Sequence, residues 1–285
     1  MELEICAGKI KVPATVHGIE GFSNGCAIVY YHGGGFLYGE RGDLPEPYID
    51  MITAAGYTLV AVDYPLAPEW PLECSVELSF QALSQLIEHE LAELGCDRYV
   101  RFGRSAGGYL ALKMAAELAS KRPDLQQPAA IWDFYGYWNL EDPFVSTPSA
   151  HYAAMPAVDT ATVNALTGPS GSLVFEGPKA TRFSLYVHAR QQGSWGRMLG
   201  VDENNAAALS LTREDLERLP PVFITASTGD NDVPLKQSKS LMRAAKQRQM
   251  HQVYYLEHDF DRDTANPVGR ETYQAALAYL SEVLG

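Results

Sequence analysis

Gly103-Arg104-Ser105-Ala106-Gly107 stands between a short β-rich run, Tyr99 to Phe102, and a helical pattern carried by Leu110, Leu112, Met114 and Leu118. A G-x-S-x-G pentapeptide where a strand turns sharply into a helix holds its serine in a strained backbone conformation. Side chains two residues to either side would collide, which accounts for glycine at 103 and 107. The plainer alternative is a helix-capping serine beside ordinary turn glycines.

Working outward, His32-Gly33-Gly34-Gly35-Phe36 directly follows another β-rich run, Ala27 to Tyr31. Three consecutive glycines let the backbone approach a ligand closely and aim N–H groups at an oxygen, which is what an oxyanion hole requires. A phosphate loop fits less well, because neither G-x-G-x-x-G nor a following Gly-Lys-Ser/Thr is present. Further runs at Leu3 to Cys6, Lys9 to Val16, Tyr57 to Val62 and Ala129 to Phe134 alternate with helical patterns. In one of these, between Pro71 and Leu94, Leu72, Val76, Phe80, Leu83, Ile87 and Leu91 recur every three or four residues. Such alternation predicts an α/β fold with a mostly parallel sheet flanked by helices.

The regularity fades from Glu141 to Leu219, where Pro and Gly interrupt it, and then resumes. A strand is expected over Pro221 to Ala226, a helix from Pro234 to about Gln247, a strand over Val253 to Leu256 and a helix from Arg270 to Leu284. Residues 1–285 therefore read as one domain, with 141–219 as a lid-like insertion before the last two strands.

With 285 residues, 46% hydrophobic and 20% charged, the chain has the composition of a folded globular protein. Its charge of 22 − 35 = −13, without any Lys/Arg run, argues against a nucleic-acid partner. No apolar stretch approaches the roughly 20 residues that span a bilayer, so no membrane association is expected. The acidic start Met1-Glu2-Leu3-Glu4 lacks the basic and apolar regions of a signal peptide. Cys6, Cys26, Cys74 and Cys96 show no metal-ligand spacing and read as reduced, buried thiols, so a cytoplasmic location is expected.

Together with Asp63-Tyr64-Pro65-Leu66-Ala67-Pro68-Glu69, the two glycine-rich segments resemble the hormone-sensitive-lipase-like esterases of the α/β-hydrolase superfamily. HGGGF, the D-Y-x-L-A-P-E stretch and G-x-S-A-G-G appear in that group's order. The resemblance implies a serine carboxylesterase acting through an acyl-enzyme on small, short-acyl or aryl esters, with no metal or organic cofactor. It further implies Ser105 as nucleophile, an oxyanion hole from the N–H groups of Gly33, Gly34 and Ala106, and a triad ordered serine, acid, histidine. His258 suits the histidine, whereas His251 falls too early on the last strand. Asp230 suits the acid, with Asp232 as the alternative; beside Pro234 the latter could simply favour a helix start.

Three departures from the group stand out. Arg104 replaces the aspartate usual before the serine, so that acid's role is absent or replaced. Only 31 residues precede His32, too few for an N-terminal helical cap. Asp259 follows His258 where glycine is common; these acids either raise the histidine pKa or form a solvated loop. Aromatic residues crowd the insertion and its approach, and Tyr137, Trp138, Tyr152 and Trp195 are candidates for the substrate-pocket wall. The expected partner is a small-molecule ester, with homodimer formation left open. Rival readings are an amidase, formamidase or peptidase with the same triad, or a ligand-binding relative without turnover.

Overall fold

The first two strands form an antiparallel hairpin whose side chains alternate between core and solvent. In β1 (Glu2–Ala7) Ile5 and Ala7 face inward; in β2 (Ile10–His17) Val12, Ala14 and Val16 do. The structure, a computed structural model, describes residues 1–18 and 22–285. The strands that follow, β3 (Cys26–Tyr31), β4 (Thr58–Val62), β5 (Arg98–Arg104), β6 (Ala130–Phe134) and β7 (Val222–Ser227), are buried along almost their whole length. That is the mark of central parallel strands covered on both faces. With β8 (Arg248–Val253) they complete an eight-stranded sheet in the order β1-β2-β4-β3-β5-β6-β7-β8, parallel from β4 onward.

Helices cover both faces. On one side α1 (Glu46–Ala54) and the C-terminal α12 (Pro267–Leu284) bury Tyr48, Ile52, Tyr273, Ala276 and Leu280 against Phe102, Trp132 and Phe223. On the other, α2 (Leu72–Gln85), continued by a π-turn and α3 (Leu91–Glu93), packs beside α4 (Ala106–Lys121). The expected three-and-four spacing of Leu72, Val76, Leu83 and Leu91 supplies that buried face. Among the described residues no helix is long and apolar enough to cross a membrane.

Between β6 and β7 the chain forms α5 (Ala150–Ala153), α6 (Thr160–Leu166), α7 (Lys179–Gln192), α8 (Trp195–Met198), α9 (Ala206–Leu209) and α10 (Arg213–Arg218). Most of these are one or two turns long, too short to leave a readable period. Leu185, Tyr186, Trp195 and Leu199 join the same hydrophobic cluster as Leu110 and Met114 of α4.

Two expectations need correction near the C-terminus. Helix α11 (Lys236–Ala244) stops three residues short of Gln247, and the last strand is Arg248–Val253 rather than Val253 to Leu256. The strand lies at the sheet edge with Arg248 and Gln249 exposed, so its polar composition masks it, whereas Tyr254 and Tyr255, apolar in type, are 60% and 88% exposed. His251 consequently sits in mid-strand opposite Thr225. Cys6 and Cys74 are exposed rather than buried; Cys6 lies on the solvent side of the β1 alternation. All four thiols are unpaired.

Candidate active site

Strand β5 delivers Ser105 to the start of α4 with φ 53 and ψ −116, a conformation costing of order 1–3 kcal/mol for a residue with a Cβ. Close packing sustains it. A Cβ at Gly103 would overlap the Gly107 carbonyl, and one at Gly107 would overlap the Tyr31 carbonyl of β3. The Ser105 N–H is tied to the Phe134 carbonyl of β6 at 2.8 Å. Thus three adjacent strands grip the turn.

The loop leaving β3 passes beside it, with the Gly33 Cα facing Arg104 O and Ser105 Cβ. The Tyr64 hydroxyl donates to His32 O at 2.8 Å and lies 3.1 Å from Gly33 O, while His32 Nδ1 sits 2.7 Å from Gly33 O. Because peptide units are planar and trans, holding these two carbonyls turns the N–H groups of Gly33 and Gly34 the opposite way. Neither N–H donates a hydrogen bond among the described residues.

The loop after β7 carries Asp230. One of its carboxylate oxygens accepts from the Asp232 and Val233 N–H groups at 2.8 and 2.9 Å; the other lies 2.7 Å from His258 Nδ1. The loop after β8 brings His258 Nε2 to 2.9 Å from Ser105 Oγ. Ser105, His258 and Asp230 therefore form one continuous hydrogen-bonded line. Asp232 points elsewhere, accepting from the hydroxyls of Tyr152 (3.0 Å) and Tyr186 (2.9 Å) and pairing with Arg190 at 3.2 Å. Burial alone would lower the His258 pKa, but the charge and hydrogen bond of Asp230, with Asp232 and Asp259 beyond, outweigh it and raise the value to about 9.

The expected solvated acidic loop is observed only at its margins: Glu257 and Asp263 are exposed, Asp259 is partly buried and Asp261 is buried. Arg104 faces the two inner acids, 3.1 Å from Asp261 and 3.9 Å from Asp259. Arg104, 1% exposed, pairs with Asp261 at 3.1 Å, donates to the Tyr135 hydroxyl at 2.7 Å and lies 3.6 Å from Asp43. Burial pushes the Asp259 carboxyl up, yet Arg104, His258, Arg262 and Lys179 together hold it at about 2.

Three of the four aromatic candidates join one cluster. Trp195 donates its indole N–H to Gly35 O at 3.0 Å and meets the Tyr137 ring edge-on; Tyr152 packs against Tyr186, whose ring covers Gly35. Trp138 stands apart, donating its indole N–H to Gln237 O at the start of α11. Sequence reasoning counts Tyr186 only among the insertion's many aromatics, and it misses Arg182 and Arg190. Arg182 donates to Leu37 O and Ala67 O and grips the Glu69 carboxylate with two bonds of 2.8 and 2.9 Å. All three residues lie with Leu185 and Ala189 on the buried face of α7, a helical spacing that could have revealed them. Gly39 and Gly177 exchange backbone hydrogen bonds and add a further tie. Among the described residues no group of three or more His, Cys, Asp or Glu is arranged to hold a metal ion.

Comparison with known proteins adds three findings. A family model for the alpha/beta hydrolase fold matches residues 28–262. A solved alpha/beta hydrolase superfamily protein from Enterococcus faecalis superposes with a TM-score of 0.86 at 30% identity, covering 99% of this chain and 98% of that one. Among curated proteins, the non-reducing polyketide synthase trt4 of Aspergillus terreus is 32% identical over 161 residues, 53% of this chain but 6% of the synthase. Ethyl acetate hydrolase of Pseudomonas putida is 35% identical over 100 residues, 34% of this chain and 31% of that protein.

Proposed function

The chain belongs to the alpha/beta hydrolase fold family, and from that premise we propose that it is a serine carboxylesterase cleaving small esters of short-acyl or aryl type. One observation carries the reading: the unbroken line from Ser105 Oγ through His258 to Asp230, at 2.9 and 2.7 Å, beside two glycine N–H groups that donate no hydrogen bond among the described residues. In the first step His258 Nε2 takes the serine proton as Oγ attacks the ester carbonyl, while Asp230 holds the Nδ1–H tautomer and stabilises the imidazolium. The oxyanion is received by the N–H groups of Gly33, Gly34 and Ala106, worth about 2.7–4 kcal/mol each in the transition state. Collapse expels the alcohol with the proton held by His258; water activated by the same histidine then releases the acid. The similarity to ethyl acetate hydrolase of Pseudomonas putida supports this chemistry. A reducing, cytoplasmic setting agrees with the four unpaired thiols.

The test is direct. A fluorophosphonate probe should label the protein on Ser105, as located by mass spectrometry, and p-nitrophenyl esters should be turned over far faster than matching anilides. A label on another residue, or faster anilide cleavage, would refute the assignment.

Because the general base must be neutral, a raised His258 pKa moves the acid limb of kcat/KM upward, from the ordinary 6.5 toward about 9. Asp259→Asn removes one of the charges responsible, so its limb should lie at lower pH than that of the wild type. An unchanged limb would count against the attribution. The same shift has a stability counterpart: protonated His258 stabilises the fold below pH 6.5, and that contribution disappears as pH rises through about 9.

The aromatic cluster of Tyr137, Tyr186 and Trp195 over Gly35 supports a preference for short acyl chains. Trp195→Ala should raise kcat/KM for longer acyl esters relative to acetate by roughly tenfold, by removing steric exclusion worth about 1–3 kcal/mol. Identical chain-length profiles for variant and wild type would defeat that role.

A further inference from the structure

In the sheet, β5 and β8 are separated by β6 and β7, so strand register does not by itself set the distance between Ser105 and His258. The histidine rides on a loop leaving an edge strand, with left-handed backbone at Tyr255 and Asp259 on either side of it. Such conformations persist only where the surroundings over-determine them. The needed restraint comes from the residue before the nucleophile. Arg104 reaches across to Asp261, three positions after His258, donating from Nη2 to one carboxylate oxygen at 3.2 Å and bringing Nε to 3.1 Å from the other. Tyr135 bridges the pair: its hydroxyl accepts from Arg104 Nε at 2.7 Å and donates to Asp261 at 2.6 Å, while its ring and the His258 imidazole pack edge to face with centroids 4.8 Å apart. A further hydroxyl, from Tyr273, reaches Asp261 at 3.0 Å.

We propose that the buried Arg104–Asp261 pair, bridged by Tyr135, is a positioning clamp that locks the histidine loop to the nucleophile turn and keeps Nε2 within reach of Oγ. It rests on the triad reading above and adds residues that touch no substrate. A planar guanidinium that donates to a carboxylate from one nitrogen and to a bridging hydroxyl from another fixes direction as well as distance. Both partners are almost fully buried, so a missing partner is not readily replaced by bulk solvent. The clamp therefore acts on the chemical step rather than on substrate binding, since misalignment of reacting groups by about 1 Å can cost 10²-fold in rate.

The test compares Asp261→Asn and Tyr135→Phe with the wild type on a p-nitrophenyl ester, well below each protein's melting temperature. Asp261→Asn should lower kcat by 10- to 100-fold with KM within twofold, and should slow fluorophosphonate labelling of Ser105 by a similar factor. Tyr135→Phe, which keeps the ring and removes the bridge, should lower kcat by 3- to 10-fold, and it decides the matter if Asp261→Asn fails to fold. A structural role alone would lower the melting temperature and leave kcat of the folded enzyme intact. Wild-type kcat in the folded variants, or losses confined to KM, would overturn the clamp. Ser105→Ala serves as the control: turnover comparable to wild type in it would indict the triad, whereas a Ser105→Ala reduced to a residual rate beside fully active clamp variants would indict the clamp alone.

Discussion

Ser105→Ala should lower kcat on a short-acyl p-nitrophenyl ester by about 10⁴–10⁶-fold and abolish fluorophosphonate labelling. Removing the hydroxyl leaves His258 with no nucleophile to activate, while the Gly33 and Gly34 N–H groups persist, so a small residual rate over water should survive. Folding should barely notice, because alanine keeps the Cβ and only the 2.9 Å bond to His258 is lost. A companion variant separates chemistry from strain. Ser105→Gly should be equally inactive but more stable than Ser105→Ala by about 1 kcal/mol, since glycine adopts φ 53 without steric cost. Comparable turnover in Ser105→Ala and wild type would end the nucleophile assignment, and equal stability of the two variants would remove the strain argument.

The second large effect concerns stability. Glu69→Ala should destabilise the protein by about 3–5 kcal/mol, because it leaves Arg182 buried without its carboxylate. Arg182 also donates to Leu37 O and Ala67 O, so its displacement would loosen the glycine-rich loop and lower kcat as well. Denaturant titration followed at two wavelengths would measure the loss; a change below about 1 kcal/mol would show that water readily replaces the carboxylate. The pair has a pH signature. Burial pushes the Glu69 carboxyl up, but the bonds from Arg182 and the Gly168 N–H outweigh it and hold it below its ordinary value. Its contribution is therefore complete above pH 4.5 and fades as acid is added through the depressed pKa.

What the sequence revealed and what it hid follow from the range of the interactions. Gly103 and Gly107 were readable because a turn and its steric demands lie within five residues, and the buried runs at Ala27 to Tyr31 and Tyr99 to Phe102 announced parallel strands by composition alone. The resemblance favours Asp230 over Asp232, but both sit in one loop and only the direction of each carboxylate, which the sequence does not carry, separates them. The last strand went astray because an edge strand need not look apolar. Least legible were the ionic ties Arg182–Glu69, Arg190–Asp232 and Arg104–Asp261, whose partners lie 113, 42 and 157 positions apart. A distant counter-ion leaves no local pattern, although buried arginines on the apolar face of α7 are a signal worth heeding.

The charged margins of the sheet have a colloidal consequence. At one border β1 presents Glu2 and Glu4 to water; at the other β8 presents Arg248 and Gln249. A second molecule adding its own strand at either border would have to strip hydration from those groups, which disfavours extension of the ladder there.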